Sequence, residues 1–251
     1  MGQTRPKNRD DREFDTTQLR ASCKGKICAR DYSAHFFRWT CVKRYIDQTK
    51  TVLDIGCGQD KPLLGILRGG PSVNVKKYVG VDLNKIRPSE DQKATFFGEF
   101  NFVERWKELV KHAPFDVVVA LEVIEHMNVR HGAAFLQASR ELLAPGGLLF
   151  LSTPCYDGIH HAANHIHEYT VPELQALIEK SKFEVVNRYG TFMDIKHFRK
   201  PGGKVEPLTA EIVRQMTALV EDYFDNDALS CFFAPLFPDH ARNNLWICRR
   251  K

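Results

Sequence analysis

The chain of 251 residues is 43% hydrophobic, enough for one substantial core, and no apolar run approaches the roughly 18 residues of a membrane span. Its polar start, MGQTRPKNRDDREFDTTQ, lacks the apolar block of a secretory signal. The net charge of +5 is uneven: residues 1–50 carry 12 Lys+Arg against 6 Asp+Glu, and the remainder 24 against 25, so the basic excess precedes the core. Residues 1–30 therefore read as a basic, mobile segment and residues 31–251 as a single domain. Seven cysteines, irregularly spaced and without a CxxC, suggest neither a zinc ribbon nor a disulfide framework and fit a reducing, cytoplasmic setting.

In chain order, apolar residues at Phe36, Phe37, Val42 and Tyr45 predict a helix over Ser33–Tyr45. Thr51–Ile55 reads as the first strand. A Gly-Cys-Gly turn and a helix over Pro62–Leu67 follow, with Pro62 suited to a first helical turn. Lys77–Leu83 is the second strand, ending at Asp82, and Ala94–Phe97 the third. Phe102–Lys111 reads as a helix. Asp116–Leu121 is a continuous apolar run, as in a strand buried on both faces.

Gly132–Leu143 is predicted helical and stopped by Ala-Pro-Gly-Gly, before a fifth strand at Leu148–Ser152. Val171–Ser181 is a helix with a capping box, Thr170 and Glu173. Phe183–Tyr189 and Leu245–Arg249 are the last strands, with a helix over Thr209–Phe224 between them. Strands alternating with helices at this spacing predict an α/β fold: a doubly wound, mostly parallel seven-stranded sheet with helices on both faces. Cys155–Tyr169 and Thr191–Leu208 lack regular pattern, as substrate loops often do.

Gly56 and Gly58 let the chain turn tightly off the first strand and approach a ligand. The third glycine of a dinucleotide fingerprint is absent, its place taken by Lys61, and no Gly-Lys-Ser/Thr ends a phosphate loop. The motifs VLDIGCG, YVGVDLN, FDVVVALEVIEH and LLAPGGLLFLSTP, in that order, resemble the successive motifs of class I S-adenosylmethionine-dependent methyltransferases, over roughly residues 30 to 190. The nearest flavour is the group that includes the ubiquinone-biosynthesis O-methyltransferases, which is broad in acceptor.

The resemblance implies S-adenosylmethionine as cofactor, bound by Arg38, Asp54, Gly56, Cys57, Gly58, Asp82, Leu83, Glu99, Phe100, Leu121 and Glu122. In that reading Asp54 and the loop carbonyls meet the methionine ammonium, Arg38 its carboxylate, and Asp82 both ribose hydroxyls. Glu99, with Phe100 beside it, stands nearest to the adenine, and Cys57 is a small residue fitted between glycines.

Glu122, Glu125 and His126 follow the fourth strand, at the rim where open α/β sheets bind ligands. His126 is the candidate base for a hydroxyl or amine acceptor, with Glu125, His165 and His167 as further catalytic candidates. His160, His161, His165 and His167 cluster after the fifth strand. Glu122, Glu125, His126 and His167 (or His165) also resemble the Mg²⁺ ligands of small-RNA 3′-terminal 2′-O-methyltransferases, although Glu168-Tyr169 departs from that pattern. No Asn/Asp-Pro-Pro-Tyr/Phe motif of DNA amino-methyltransferases follows the fourth strand, and Pro154-Cys155 alone is thin support for a cytosine-C5 nucleophile.

The basic stretch Lys196–Lys204 and the N-terminal segment leave nucleic acid open as a partner beside a small acceptor, anionic ones included. The sequence thus points to methyl transfer to oxygen or nitrogen of a small molecule, with no membrane. A nucleic-acid methyltransferase and a non-catalytic cofactor-binding subunit are the alternatives.

Overall fold

The computed structural model describes residues 29–68, 73–156, 158, 162–193 and 234–251. Residues 1–28, His160 and His161, the Lys196–Lys204 stretch and the helix expected over Thr209–Phe224 lie outside the described residues. Seven strands form one sheet: β1 (Thr51–Ile55), β2 (Lys77–Val81), β3 (Ala94–Phe97), β4 (Phe115–Leu121), β5 (Leu143–Pro154), β6 (Phe183–Met193) and β7 (Ala241–Arg250). Their order is β3-β2-β1-β4-β5-β7-β6. The first five run parallel, and β7 inserts antiparallel between β5 and β6. The strand order reverses on either side of β1 and β4, which places a topological switch point at their C-terminal ends.

The period-two geometry of a strand divides the apolar runs between two faces. Val52, Val117, Val119, Phe150 and Ile247 pack on one side with Leu63, Leu64 and Leu67 of α2 (Pro62–Leu67). Leu53, Val118, Ala120, Leu149 and Leu151 pack on the other with Phe135 and Leu136 of α4 (Val129–Leu142). Full burial of each such side chain contributes about 1.5–3 kcal/mol, so both faces drive the same sheet.

Several boundaries differ from the sequence reading. Helix α1 spans Ala29–Lys43, beginning inside the segment read as a tail. The helix expected over Phe102–Lys111 is α-helical only over α3 (Phe102–Arg105) and tightens to a 3₁₀ form over Trp106–His112, ahead of Ala113-Pro114. The Ala-Pro-Gly-Gly stretch ends α4 at Leu142, yet lies inside β5. Register jumps from Phe115↔Leu143 to Val117↔Leu148, so Ala144–Gly147 bulge out there, with Gly146 at φ 71°. β6 runs four residues past Tyr189 and brings Thr191 into the sheet.

Helix α5 (Val171–Lys180) starts at the expected capping box, Thr170 with Glu173. The box anchors the end of the histidine-bearing loop, because Tyr169 bridges to Cys155 just ahead of it. Thr170→Ala is expected to lower stability by about 1 kcal/mol, read as a shift of the urea midpoint at constant slope. An unshifted midpoint would leave the box without energetic weight.

Candidate functional site

The glycine turn follows β1 directly. Gly56 and Gly58 have φ of 73° and 71°, the left-handed region that glycine enters without steric cost. A Cβ on Gly56 would stand 2.6 Å from Val123 Cγ2, whereas one on Gly58 would meet nothing nearer than Pro62 Cδ at 3.9 Å. The turn is thus pressed onto the β4 loop at one glycine and open at the other. Lys61 holds a left-handed φ of 51°, and its ammonium donates to the carbonyls of Gln59 (3.1 Å) and Arg87 (2.8 Å). Cys57 is buried, and burial pushes its thiol far up, so it packs as a small apolar residue.

Asp54 is 5% exposed and accepts a hydrogen bond from the Tyr78 hydroxyl. Burial pushes its carboxyl up to about 7, the Tyr78 bond pulls down and nearby Asp82 pushes up. Asp82, just past β2, accepts from Gly58 N–H at 2.9 Å on Oδ2, and from Asn84 N–H (2.8 Å) and Nδ2 (3.2 Å) on Oδ1. Leu83 is exposed beside it. Glu99 takes a left-handed φ of 52°, and Phe100 is buried with its N–H given to the Asp82 carbonyl. A cleft of about 600 Å³ bounded by Lys85, Arg87, Ser89, Phe96, Gly98 and Glu99 opens there.

Across the rim, Leu121 ends β4 and Glu122 turns at φ 60°. Its carboxylate accepts from Ser152 Oγ (2.6 Å) and Asn243 Nδ2 (2.8 Å) and lies 3.5 Å from Arg38 Nη1. Burial alone would raise the Glu122 carboxyl, but Arg38, Ser152, His35 and Asn243 outweigh it and hold it below the ordinary range. Arg38 itself is 2% exposed. It donates to Thr191 Oγ1 (3.2 Å) and Asn243 Oδ1 (3.1 Å), meets His35 Nδ1 at 2.8 Å, and keeps a buried Nε without a partner among the described residues. Its guanidinium is thus engaged by the protein at the place where the sequence suggested a ligand carboxylate.

Glu125 is fully buried. Thr153 Oγ1 donates to its Oε2 at 3.1 Å, and Oε1 has no hydrogen-bond partner among the described residues. Burial, and then the charge of Glu122, push its carboxyl well above the usual range. The two neighbouring acids are therefore pushed in opposite directions. The carbonyl of Glu125 receives the N–H groups of Ile166 (2.8 Å) and His167 (3.1 Å), which holds the histidine loop against β4. His126 Nδ1 lies 3.1 Å from the Asn164 carbonyl, and its ring meets His165 edge-on at 5.1 Å. His165 Nδ1 sits 2.5 Å from Glu168 Oε1, which also accepts from Ala162 N–H at 2.9 Å.

Ligand atoms of Glu125, His126 and His165 lie within 4.8 Å of one another. His167 stands apart, edge-on to Tyr169 at 4.4 Å and 3.4 Å from Glu173. Cys155 is pushed up to about 11 by burial, with Asn244 Nδ2 at 2.7 Å, which does not favour a thiolate.

Sequence reasoning missed Tyr78, Ser152, Thr153, Glu168, Thr191 and Asn243. Ser152 and Thr153 carried a local signal, being polar residues at the C-terminal end of a buried strand. Thr191 and Asn243 carried none, because their place depends on the register of β6 and β7.

The family model for a methyltransferase domain matches residues 37–188, more than half of the chain. The ubiquinone biosynthesis O-methyltransferase of Dechloromonas aromatica is 34% identical over 120 residues, 43% of this chain and 48% of that protein. The small RNA 2′-O-methyltransferase of Rattus norvegicus is 29% identical over 136 residues, 47% of this chain and 33% of that protein. The chain spans about half the length of the ubiquinone-biosynthesis relatives it matches and about a third of the rat protein. A SAM-dependent methyltransferase from Archaeoglobus fulgidus shares the fold, with a TM-score of 0.55 and 16% identity over 88% of this chain and 95% of that one. Over residues 37–188 the chain belongs to the methyltransferase-domain family, and its sheet has the fold of class I S-adenosylmethionine-dependent methyltransferases.

Proposed function

We propose that the chain transfers the methyl group of S-adenosylmethionine to an oxygen or nitrogen atom of a small acceptor. The observation that carries this reading is the Gly58 N–H bond to the Asp82 carboxylate, which sets the glycine turn and the acid after β2 side by side. An ionised carboxylate accepts about four hydrogen bonds. Asp82 Oδ2 uses one within the protein, so it retains capacity for ribose hydroxyls. The exposed apolar Leu83 suits the rest of an adenosyl group.

When bound, the cofactor supplies a methyl group on a sulfonium, open to direct displacement. The protein's part is to hold the acceptor in line and to take its proton. A carbonyl can only accept, so His126 Nδ1 carries the hydrogen toward Asn164 and the basic lone pair lies on Nε2. Asp54 and Arg38 are assigned to building the site, since both are buried and engaged by protein groups.

Asp82→Ala is expected to weaken S-adenosylmethionine binding by about 10²–10⁴-fold, two charge-assisted bonds at about 1.5–3 kcal/mol each being at stake. Calorimetry at equal protein stability reads this, and unchanged affinity would sink the cofactor assignment.

Asp54 has a pH signature of its own. An acid whose folded pKa is raised contributes stability that is whole below its unfolded value and is lost as pH rises toward about 7. Asp54→Asn keeps an acceptor for Tyr78 and removes the titration. Its stability relative to the native chain should therefore gain about 3 kcal/mol between pH 5 and pH 8.5. Urea unfolding at the two pH values measures this, and parallel pH profiles would contradict a buried, raised Asp54.

A second reading is favoured by the Glu125, His126 and His165 group, each of which offers a ligand atom within 4.8 Å of the others. One carboxylate and two imidazoles fit a first-row divalent ion. Such an ion would lower the cost of deprotonating a ribose hydroxyl. Glu122 and His167, also in the ligand set suggested by the sequence, face Arg38 and Glu173 instead. With His126 as a metal-free base, His126→Ala should lower kcat by about 10²–10⁴, and prior dialysis against chelator should change nothing. Chelator-sensitive activity restored by Mn²⁺, and lost equally in His165→Ala, would favour the ion.

A further inference from the structure

The adenine end of the site rests on a strained turn. Glu99 is a non-glycine residue at φ 52°, a conformation that costs roughly 1–2 kcal/mol and persists only where neighbours enforce it. Two of the enforcing contacts belong to the β2 end: Glu99 N–H donates to the Asn84 carbonyl at 3.1 Å, and Phe100 N–H to the Asp82 carbonyl at 2.9 Å. Gly98 lets the strands close this far, since a Cβ there would stand 2.9 Å from Ile86 N and 3.1 Å from the Asn84 carbonyl oxygen. These bonds hold the amide nitrogens of the turn and leave the Glu99 carbonyl to be fixed from elsewhere.

Arg105, the last residue of α3, fixes it. Its Nη1 donates to the Glu99 carbonyl at 3.3 Å, and its guanidinium carbon lies 4.6 Å from the centre of the Phe100 ring. Nε and Nη2 are held in a fork by both oxygens of Glu108, at 2.8 Å and 3.0 Å. The fork aims the remaining nitrogen, and the aromatic face restrains the plane. One partner of this clamp, Glu99, borders the cleft, and the other, Phe100, follows it and is tied to the Asp82 carbonyl.

We propose that Arg105 is a positioning residue for adenine recognition, setting the Glu99–Phe100 turn through the Glu99 carbonyl, with Glu108 as its orienting partner. This rests on the reading of the site as one for S-adenosylmethionine. Without the Arg105 bond the Glu99 carbonyl loses its hold, and the conformer that the two remaining backbone bonds support is expected to lose occupancy by about tenfold. The loss should appear in cofactor affinity alone, since the methyl acceptor and its base lie across the rim.

Arg105→Gln is therefore expected to weaken binding of S-adenosylhomocysteine and of 5′-methylthioadenosine by the same factor, roughly tenfold. KM for S-adenosylmethionine should rise by that factor, with kcat at saturating cofactor and the melting temperature unchanged. Glu108→Gln, which keeps a neutral acceptor for the fork, should show a smaller loss in the same direction. Arg105→Gln binding both probes with native affinity, or losing kcat at saturation, would overturn the proposal while native binding upheld the cofactor reading. If the native chain bound neither probe, the cofactor reading itself would fall.

Discussion

Arg38 leaves α1, ahead of the sheet in the chain, and its guanidinium ends among side chains at the C-terminal end of the parallel strands. Ser152 of β5, Thr191 of β6 and Asn243 of β7 all reach Glu122, Arg38 or each other there. Glu122 sits at a left-handed φ, which a non-glycine residue adopts only under constraint. The ion pair and its three polar neighbours supply that constraint. Removing Glu122 would leave the buried Arg38 guanidinium without its charged partner. The course of the chain from β4 into Glu125 and His126 thus depends on a residue 84 positions upstream of Glu122, by the numbering of the sequence.

The same pair decides the charge state of the rim. Glu122 and Glu125 lie close enough that ionising one opposes ionising the other. The guanidinium and two hydrogen bonds favour charge on Glu122. Glu125, fully buried with one bond from Thr153, is pushed toward the neutral form by burial and by the charge of Glu122. That push would invert if an ion occupied the three-residue group, because a bound cation favours a charged Glu125.

The donor side was legible in the sequence because its geometry is local. The turn at Gly56–Gly58, the strand end at Asp82 and the first turn at Pro62 each follow from residues within a few positions. Lys61 shows where locality misleads. It stands in place of the third glycine of a dinucleotide fingerprint, yet keeps the left-handed backbone, held by its own ammonium on Gln59 and Arg87.

The acceptor side was legible only as a set of candidates. Whether His165 or His167 faces His126 depends on how the loop is tied to the Glu125 carbonyl, and no periodicity encodes that. Asn243 and Thr191 could not be found, since their contacts with Arg38 span 205 and 153 residues. The bulge at Ala144–Gly147 misled for a related reason: a helix stop and a strand irregularity use the same residues.

These separations also divide the molecule by what each half requires. The bond between Gly58 and Asp82, like that between Asp54 and Tyr78, spans 24 residues and needs only β1, β2 and the turn between them. The acceptor rim needs β7, last in chain order, seated antiparallel between β5 and β6, because Asn243 is a partner to both Arg38 and Glu122. Without that strand Glu122 would lose a donor and Arg38 an acceptor, while the glycine turn would keep every bond described for it. A change in β6 or β7 therefore bears on Arg38 and Glu122, and leaves the bond between Gly58 and Asp82 as it is.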